Sequence, residues 1–520
     1  MKRMFRLLSL LLALAMLAAA CGGGDDSSDG EDAGGGGVNN DAASEAMTDD
    51  EGDSSDSTDT TEPVVEPATF EEYEALWETE RQAIIDELNS GDYGIGEDNI
   101  LRGPGGLEID LNNCPSDWNE TEGITDTTIT MGLSTAQSGN LASYGYIAQG
   151  MQAYFDWVNE TQGGVDGKNV QLIVKDDAYV AAQTIEMVNE MLQADKPFTI
   201  STLGSPNTLA TYDTLNERCV PQPFVQTGHP AWGDPVNHPW TTGLQMSYST
   251  EAILWGNWIK ENMADSLPVT VGALVMDNDF GAAYSESFEK WAEENPYVIA
   301  EFNPVPHDPA AATVTNEMTT IASGSPDVFI SMTAGQPCLL AIQEASNSGL
   351  SESAKVLFTP SVCKDPQAFT IPAGDAANGW MIVGGGIKIN TDPQYADDPY
   401  ISFLNETLDA EGLDHTIGNY GTGFGMFGWP TVETLRIASA LEGGLTRSNF
   451  ILALHSLDLN HPDLLTGVSF AVNGAEDSYF IEGSDFSRYD AAAQSWVSEG
   501  EVIDLNGSSA NCAWNGSSCG

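Results

Sequence analysis

From Thr127 onward, short β-prone apolar runs alternate with helical stretches, and this alternation restricts the fold more than any other feature of the chain. Candidate strands lie at 129–133, 170–175, 199–202, 224–226, 270–275, 298–303, 328–332, 356–358 and 381–383. Helical patterns occupy 144–159, 181–194, 248–262, 282–293 and 336–348. Repeated β-then-α units with helices of this length call for parallel, doubly wound sheets. A single sheet of that many strands would be large, so the expectation is an α/β fold of two Rossmann-like lobes with parallel central sheets.

The 520 residues suffice for two large lobes, and 41% of them are hydrophobic, enough for a packed core. Asp plus Glu number 78 against 17 Lys plus Arg, a formal net charge of −61. Such an excess repels phosphate backbones, so no nucleic acid is expected as a partner. It equally excludes adsorption to anionic lipid through basic patches. Only 14 of the acids fall between Gly22 and Pro63, and 64 follow it, so the globular part is itself acidic. That surface reads as salt-adapted and strongly hydrated, or as that of an ordinary acidic extracellular protein.

Residues 1–21 read as a targeting segment. Lys2, Arg3 and Arg6 precede an apolar run over 7–20 that is too short to span a bilayer comfortably. Its end, Leu17-Ala18-Ala19-Ala20-Cys21-Gly22, resembles a bacterial lipoprotein cleavage site. Cys21 is therefore expected to become the lipidated first residue, the alternative being a plain secretory signal. Residues 22–68 are rich in Gly, Ser, Asp and Glu and are expected to be an acidic disordered tether. Residues 69–126 form an accessory helical and irregular segment, with helical periodicity through Phe70, Tyr73, Leu76, Trp77, Ile84 and Leu88.

Six further cysteines in an exported chain suggest three disulfides. Cys512 and Cys519 would close a short loop in the C-terminal tail, 505–520. Cys338 and Cys363 each follow a candidate strand, and Cys114 and Cys219 remain by elimination. Several other pairings stay open on spacing alone. No C-x-x-C occurs and histidines number six, so neither a structural zinc nor any other cofactor is expected.

Between Ile129 and Tyr179 a strand leads to a loop with Ser138-Gly139, then to a helix that begins near Ser143 and takes in Tyr144. Exposed helix N–H groups and serine hydroxyls there can hold an anionic or carbonyl oxygen. The helix stops at Gly163-Gly164, and the next strand closes on Asp176-Asp177. Later come Thr202-Leu203-Gly204-Ser205-Pro206-Asn207-Thr208, Val220-Pro221-Gln222-Pro223-Phe224, Thr227-Gly228-His229, and Tyr248 with Glu251. Asp277-Asn278-Asp279-Phe280-Gly281, 327–332 and 341–350 follow. This ordered set, covering about 127–473, resembles the type I periplasmic solute-binding proteins of the branched-chain amino-acid-binding family.

The resemblance implies two lobes joined by a three-crossover hinge, with a ligand cleft between them. Lobe 1 would comprise 127–248 and 384–465, and lobe 2 would comprise 249–383 and 466–504. Ser205 falls where the family has a serine that donates to a ligand carboxylate, beside Gly204 and with Thr208 in the following helix. Thr227, Gly228 and His229 match a loop at the same ligand end, His229 being either a donor or a rim residue. Phe280, next to Asp279, takes the place of a family tyrosine that packs on the ligand. Thr333 and Ala334 belong to a second-lobe loop. Ser361 stands where amino-acid-binding members carry an acid, so Asp279 or Asp365 would have to replace that acid, or the ligand lacks an ammonium group. A buried unpaired ammonium would cost several kcal/mol, on the order of a lost buried ion pair.

No G-x-S-x-G, H-E-x-x-H or Walker A sequence is present, so an enzyme is not expected. Gly423-Phe424-Gly425-Met426-Phe427-Gly428 fits G-x-G-x-x-G but follows no clear strand. The expected function is that of an extracytoplasmic lipoprotein that captures a small polar organic molecule, whether amino acid, amide or carboxylate. It would hand the molecule to an ABC permease with its ATPases, touching the membrane by lipid anchor only. A ligand sensor using the same cleft is the alternative, and an extracellular hydrolase a more distant one.

Overall fold

The computed structural model describes residues 36–47 and 66–519. Residues 1–21, Cys21 among them, lie outside the described residues. Before the α/β body come two helices, α1 (Asn40–Met47) and α2 (Phe70–Ser90). A small antiparallel sheet of β1 (Gly94–Ile95), β2 (Ile100–Arg102) and β3 (Glu108–Asp110) follows.

The first parallel sheet has the order β5-β4-β6, from β4 (Thr128–Thr135), β5 (Asn169–Asp176) and β6 (Thr199–Thr202). Helices α3 (Gly145–Gln162), α4 (Ala181–Glu190) and α5 (Ser205–Glu217) connect and extend it. After α6 (Tyr248–Asn262) a second sheet begins with β7 (Val269–Met276). It continues through α7 (Asp279–Glu294), β8 (Ile299–His307), α8 (Thr315–Ser323), β9 (Val328–Met332) and α9 (Gln336–Asn347). Then come β10 (Val356–Thr359) and β11 (Met381–Val383), and, more than a hundred residues later, β12 (Phe486–Asp490) and β13 (Ser495–Ser498). The order is β13-β12-β11-β10-β9-β7-β8, parallel from β8 to β11 and antiparallel at β12 and β13.

The inner strands β7 and β9 of the second sheet are nearly continuous buried runs because both faces are covered. In β7, VTVGALVM, every residue except Thr270 is buried. The helices begin where local chemistry stops the strands. Asn278 Oδ1 accepts from the N–H groups of Phe280 (3.1 Å) and Gly281 (3.3 Å), capping α7 just beyond β7. Gly163, at φ 75°, ends α3 in the left-handed conformation.

The expected strand at 224–226 is not formed as one. The segment joins the first sheet by a single parallel bridge, Leu203 to Gln226. Pro221 and Pro223 have no N–H to give a ladder, and Phe224 has φ 49°. A second difference concerns the tether. Within 22–68, Gly36–Met47 is folded against the body. Ala43 is fully buried, Val38 N–H donates to Thr250 Oγ1 (3.2 Å), and Trp291 Nε1 donates to Asn40 Oδ1 (2.7 Å). Its composition could not build a core, but these residues borrow one from α6 and α7.

α2 docks through Tyr73, Trp77, Ile84 and Leu88, with the Trp77 ring 5.1 Å from that of Trp429. All three expected disulfides are formed: Cys114–Cys219, Cys338–Cys363 and Cys512–Cys519. Cys338 and Cys363 follow β9 and β10, which are hydrogen-bonded neighbours. Among the described residues no helix is long and apolar enough to cross a membrane.

Candidate functional site

The carboxyl ends of the two parallel sheets face a common cavity of about 850 Å³, counting the space at its mouth. The first sheet contributes Tyr179 after β5, Leu203 and Gly204 after β6, and the neighbouring Gln226 and Thr227. The second contributes Phe280 after β7, Ala334 after β9, and Ser361, Val362, Lys364 and Asp365 after β10. A third wall comes from Ile387, Ile389, Asn419, Thr422, Met426 and Phe427. The lining is mostly aliphatic and aromatic, with polar groups at separate points.

Those polar groups form short chains. Ser205 Oγ and Thr227 Oγ1 share a hydrogen bond at 2.7 Å, and Thr227 donates on to Tyr248 Oη at 3.4 Å. In that direction the Tyr248 proton is left to donate. Tyr144 Oη accepts from Gly335 N–H at 3.0 Å and likewise keeps its own proton. Burial raises both phenols, Tyr144 to about 12 and Tyr248 further, so both remain protonated donors. Gln226 is 7% exposed and its Oε1 has no partner among the described residues.

Lys364 is buried and already committed. Its ammonium donates to Ile387 O (2.7 Å), Gly384 O (3.3 Å) and Asp485 Oδ1 (3.0 Å), which uses all three protons. Asp365 accepts from Thr391 Oγ1 at 2.6 Å, and burial raises its carboxyl above the usual range. Glu251, fully buried behind Ser361, accepts from the Ser361 hydroxyl at 2.5 Å and from its N–H at 3.1 Å. Among the described residues no group of three His, Cys, Asp or Glu is placed to hold a metal.

Of the residues singled out in the sequence, Tyr144, Gly204, Thr227, Phe280, Ala334 and Ser361 line the cavity. The others sit around it. Ser205 is fully buried behind Thr227, and Thr208 bonds to Thr202 at 2.8 Å inside α5 and β6. Gly228 packs against Tyr248 and Met246. Thr333 is buried and bonds to Ser331 at 2.8 Å. Ser138 and Gly139 are exposed in the loop after β4, whose Gln137 N–H donates to Asp176 at 2.8 Å. Asp279 is exposed on the first turn of α7. His229 is turned away from the cavity and lies among aromatic rings, 5.4 Å from Trp232 and 5.2 Å from Trp514. Burial lowers its pKa to about 3, so it carries no charge. Gly204, at φ 93°, leaves room for the Tyr179 ring, which a Cβ would meet at 2.3 Å.

Met426 and Phe427 come from the G-x-G-x-x-G stretch. Gly423–Gly428 is a π-helical segment between two α-helical ones. Its glycines serve close packing, since a Cβ on Gly423 would meet Ile147 O of α3 at 2.0 Å. The bulge turns Met426 and Phe427 into the cleft, a recurrent use of such segments. Glycine clustering in a helical pattern was the available signal for this wall.

Residues 128–478 match the family described as periplasmic binding protein. The chain belongs to this family. A search of curated protein sequences gives no match. Among solved structures, the periplasmic binding protein resembles a branched-chain amino acid ABC transporter protein from Thermus thermophilus with bound valine. The TM-score is 0.63 at 18% identity, covering 73% of this chain and 97% of that one. A fatty acid ABC transporter substrate-binding protein from Thermomonospora curvata gives 0.60 at 18%, covering 75% and 95%. A solute-binding protein from R. palustris in complex with 4-hydroxybenzoate gives 0.59 at 16%, covering 72% and 97%. The periplasmic binding protein thus has the type I fold, and its family places it outside the cytoplasm.

Proposed function

We propose that the protein is the solute-binding lipoprotein of an ABC importer, capturing a small molecule with an apolar body and a carboxylate or similarly polar end. The cavity carries this reading. Its walls are mainly hydrocarbon, its donors are the neutral hydroxyls of Tyr144 and Tyr248, the latter oriented by Thr227, and its lysine is spoken for by Asp485. The ligands named for the three similar structures, valine, a fatty acid and 4-hydroxybenzoate, share that pattern of apolar body and carboxylate. Residues 127–248 with 384–465, and 249–383 with 466–504, would close as two bodies about the ligand. Cys21 would carry the lipid, and a permease with its ATPases would receive the closed complex.

Calorimetry against aliphatic amino acids, their deaminated analogues, fatty acids and hydroxybenzoates tests the reading. One class is expected to bind with micromolar or better affinity, and Thr227→Ala is expected to weaken it. Binding that is indifferent to Thr227→Ala and to Phe280→Ala would place the solute elsewhere.

A further inference from the structure

Glu251 lies on the first turn of α6 and is fully buried. Its Oε1 accepts from the Ser361 hydroxyl (2.5 Å) and from the Tyr284 hydroxyl (2.9 Å), and its Oε2 from the Ser361 N–H (3.1 Å). The titratable groups facing it are Tyr248 on its own helix and Tyr284 on α7, with the neutral Ser361 beyond β10. Among the described residues no Lys, Arg or His pairs with it, so its charge is held by hydrogen bonds alone. Burial outweighs those bonds and pushes its pKa up to about 7.

Ser361 also lines the cavity. A hydroxyl has one proton to give and two lone pairs to offer. When Glu251 is ionised, that proton is held by Oε1, and Ser361 meets the cleft only as an acceptor. When Oε1 is protonated, the carboxyl donates to Ser361 Oγ, and the serine proton is free to point at a ligand. The same side chain therefore presents opposite hydrogen-bonding character in the two states, with no movement of the backbone.

We propose that Glu251, acting through Ser361, decides which hydrogen-bond partner a solute must bring to this end of the cleft. Ionised Glu251 selects a donor, such as a hydroxyl, an amide N–H or an ammonium, and protonated Glu251 withdraws that preference. Glu251 is a positioning residue here, out of contact with the solute. The inference rests on the cleft being the solute site. It also changes what Ser361 means for the ligand: an acid stands one hydrogen bond behind it.

The test uses matched probes that differ by one donor: leucine against 4-methylpentanoate, and 4-hydroxybenzoate against benzoate. Affinities of the purified full-length protein are measured by calorimetry from about pH 5.5 to about pH 8, a window in which all four carboxylates stay ionised. The wild-type protein is expected to prefer the donor-bearing member of at least one pair by roughly tenfold at the upper end. That ratio should fall toward unity as the pH drops through the Glu251 transition. Glu251→Gln should give a ratio near unity throughout. Tyr284→Phe removes one donor from the carboxylate and should move the midpoint to higher pH, a shift that a merely structural role would not produce. A preference independent of pH in the wild-type protein, or one retained in Glu251→Gln, overturns the inference and leaves the cleft reading standing. Failure of all four probes to bind overturns the cleft reading for apolar-bodied acids, and this inference with it.

Discussion

Tyr144 and Gly335 are 191 residues apart and follow strands of different sheets, β4 and β9, yet the Gly335 N–H donates to the Tyr144 phenol at 3.0 Å beside the cleft. Beside them, Asn140 Nδ2 donates to Pro309 O (3.3 Å) and Ala311 O (3.4 Å). These contacts join the loops after β4, β8 and β9.

Tyr144→Phe is expected to favour the open form. It leaves the Gly335 N–H without its acceptor and removes a donor from the cavity. Small-angle scattering should show a larger radius of gyration for the variant, and solute affinity should fall by roughly tenfold, the worth of about 1–1.5 kcal/mol of hydrogen bonding.

Thr227→Ala removes the centre of the Ser205–Thr227–Tyr248 chain. Two buried hydroxyls lose their partner and the cavity loses a polar group. Affinity measured by calorimetry should fall by about 1–3 kcal/mol, and Thr227→Ser should recover most of it.

Asp485→Asn should be strongly destabilising. Lys364 and Asp485 are 2% and 3% exposed in their side chains, and removal of the anion leaves a buried ammonium held by carbonyls alone. A loss of about 3–5 kcal/mol is expected in chemical denaturation. A variant with Lys364→Met and Asp485→Leu together should lose much less.

Glu482 makes stability depend on pH. It accepts from Ser509 N–H at 2.7 Å and from Gly507 N–H, and burial pushes its pKa up to about 7. The native state therefore holds a proton that the unfolded chain releases near its ordinary value of 4.5. Between these two values the folded form binds more protons, so stability from this group declines as the pH rises. Glu482→Gln should flatten the dependence of Tm on pH in that window and gain about 1–3 kcal/mol at the alkaline end.

Cys21→Ser should release the protein from membranes into the soluble fraction, as measured by fractionation and by loss of labelled lipid. Retention of the variant on membranes to the same extent as the wild type would exclude a lipid anchor at this residue.

The parallel sheets were legible because several of their strands are apolar on both faces and are bounded by turn residues, as at 328–332 and 381–383. The segment 224–226 read as a strand because its residues are apolar and β-prone, a preference blind to the positive φ that Phe224 adopts in its tertiary setting. In the cleft, the residues that immediately follow strands were foreseeable, as with Gly204, Phe280 and Ala334. Gln226 and Asn419 were not, because their place depends on how distant loops converge. Glu251 could be noticed in its motif, but its bond to Ser361, 110 residues away, is a tertiary fact. His229 looked like a binding residue because histidine is chemically versatile, and burial among tryptophans removed that option.

The docking of Gly36–Met47 onto α6 and α7 sets a leash length. Were the chain free up to α2, nearly fifty residues would separate Cys21 from the folded body, a reach of about 160 Å at full extension. With Gly36 pinned beside Ser247, whose hydroxyl donates to its carbonyl, the slack that remains spans at most about 50 Å. A lipid at Cys21 would then keep the body within roughly its own diameter of the bilayer. Solute exchange with a membrane partner would depend on rotation about a short strap, with little room for diffusion on a long one.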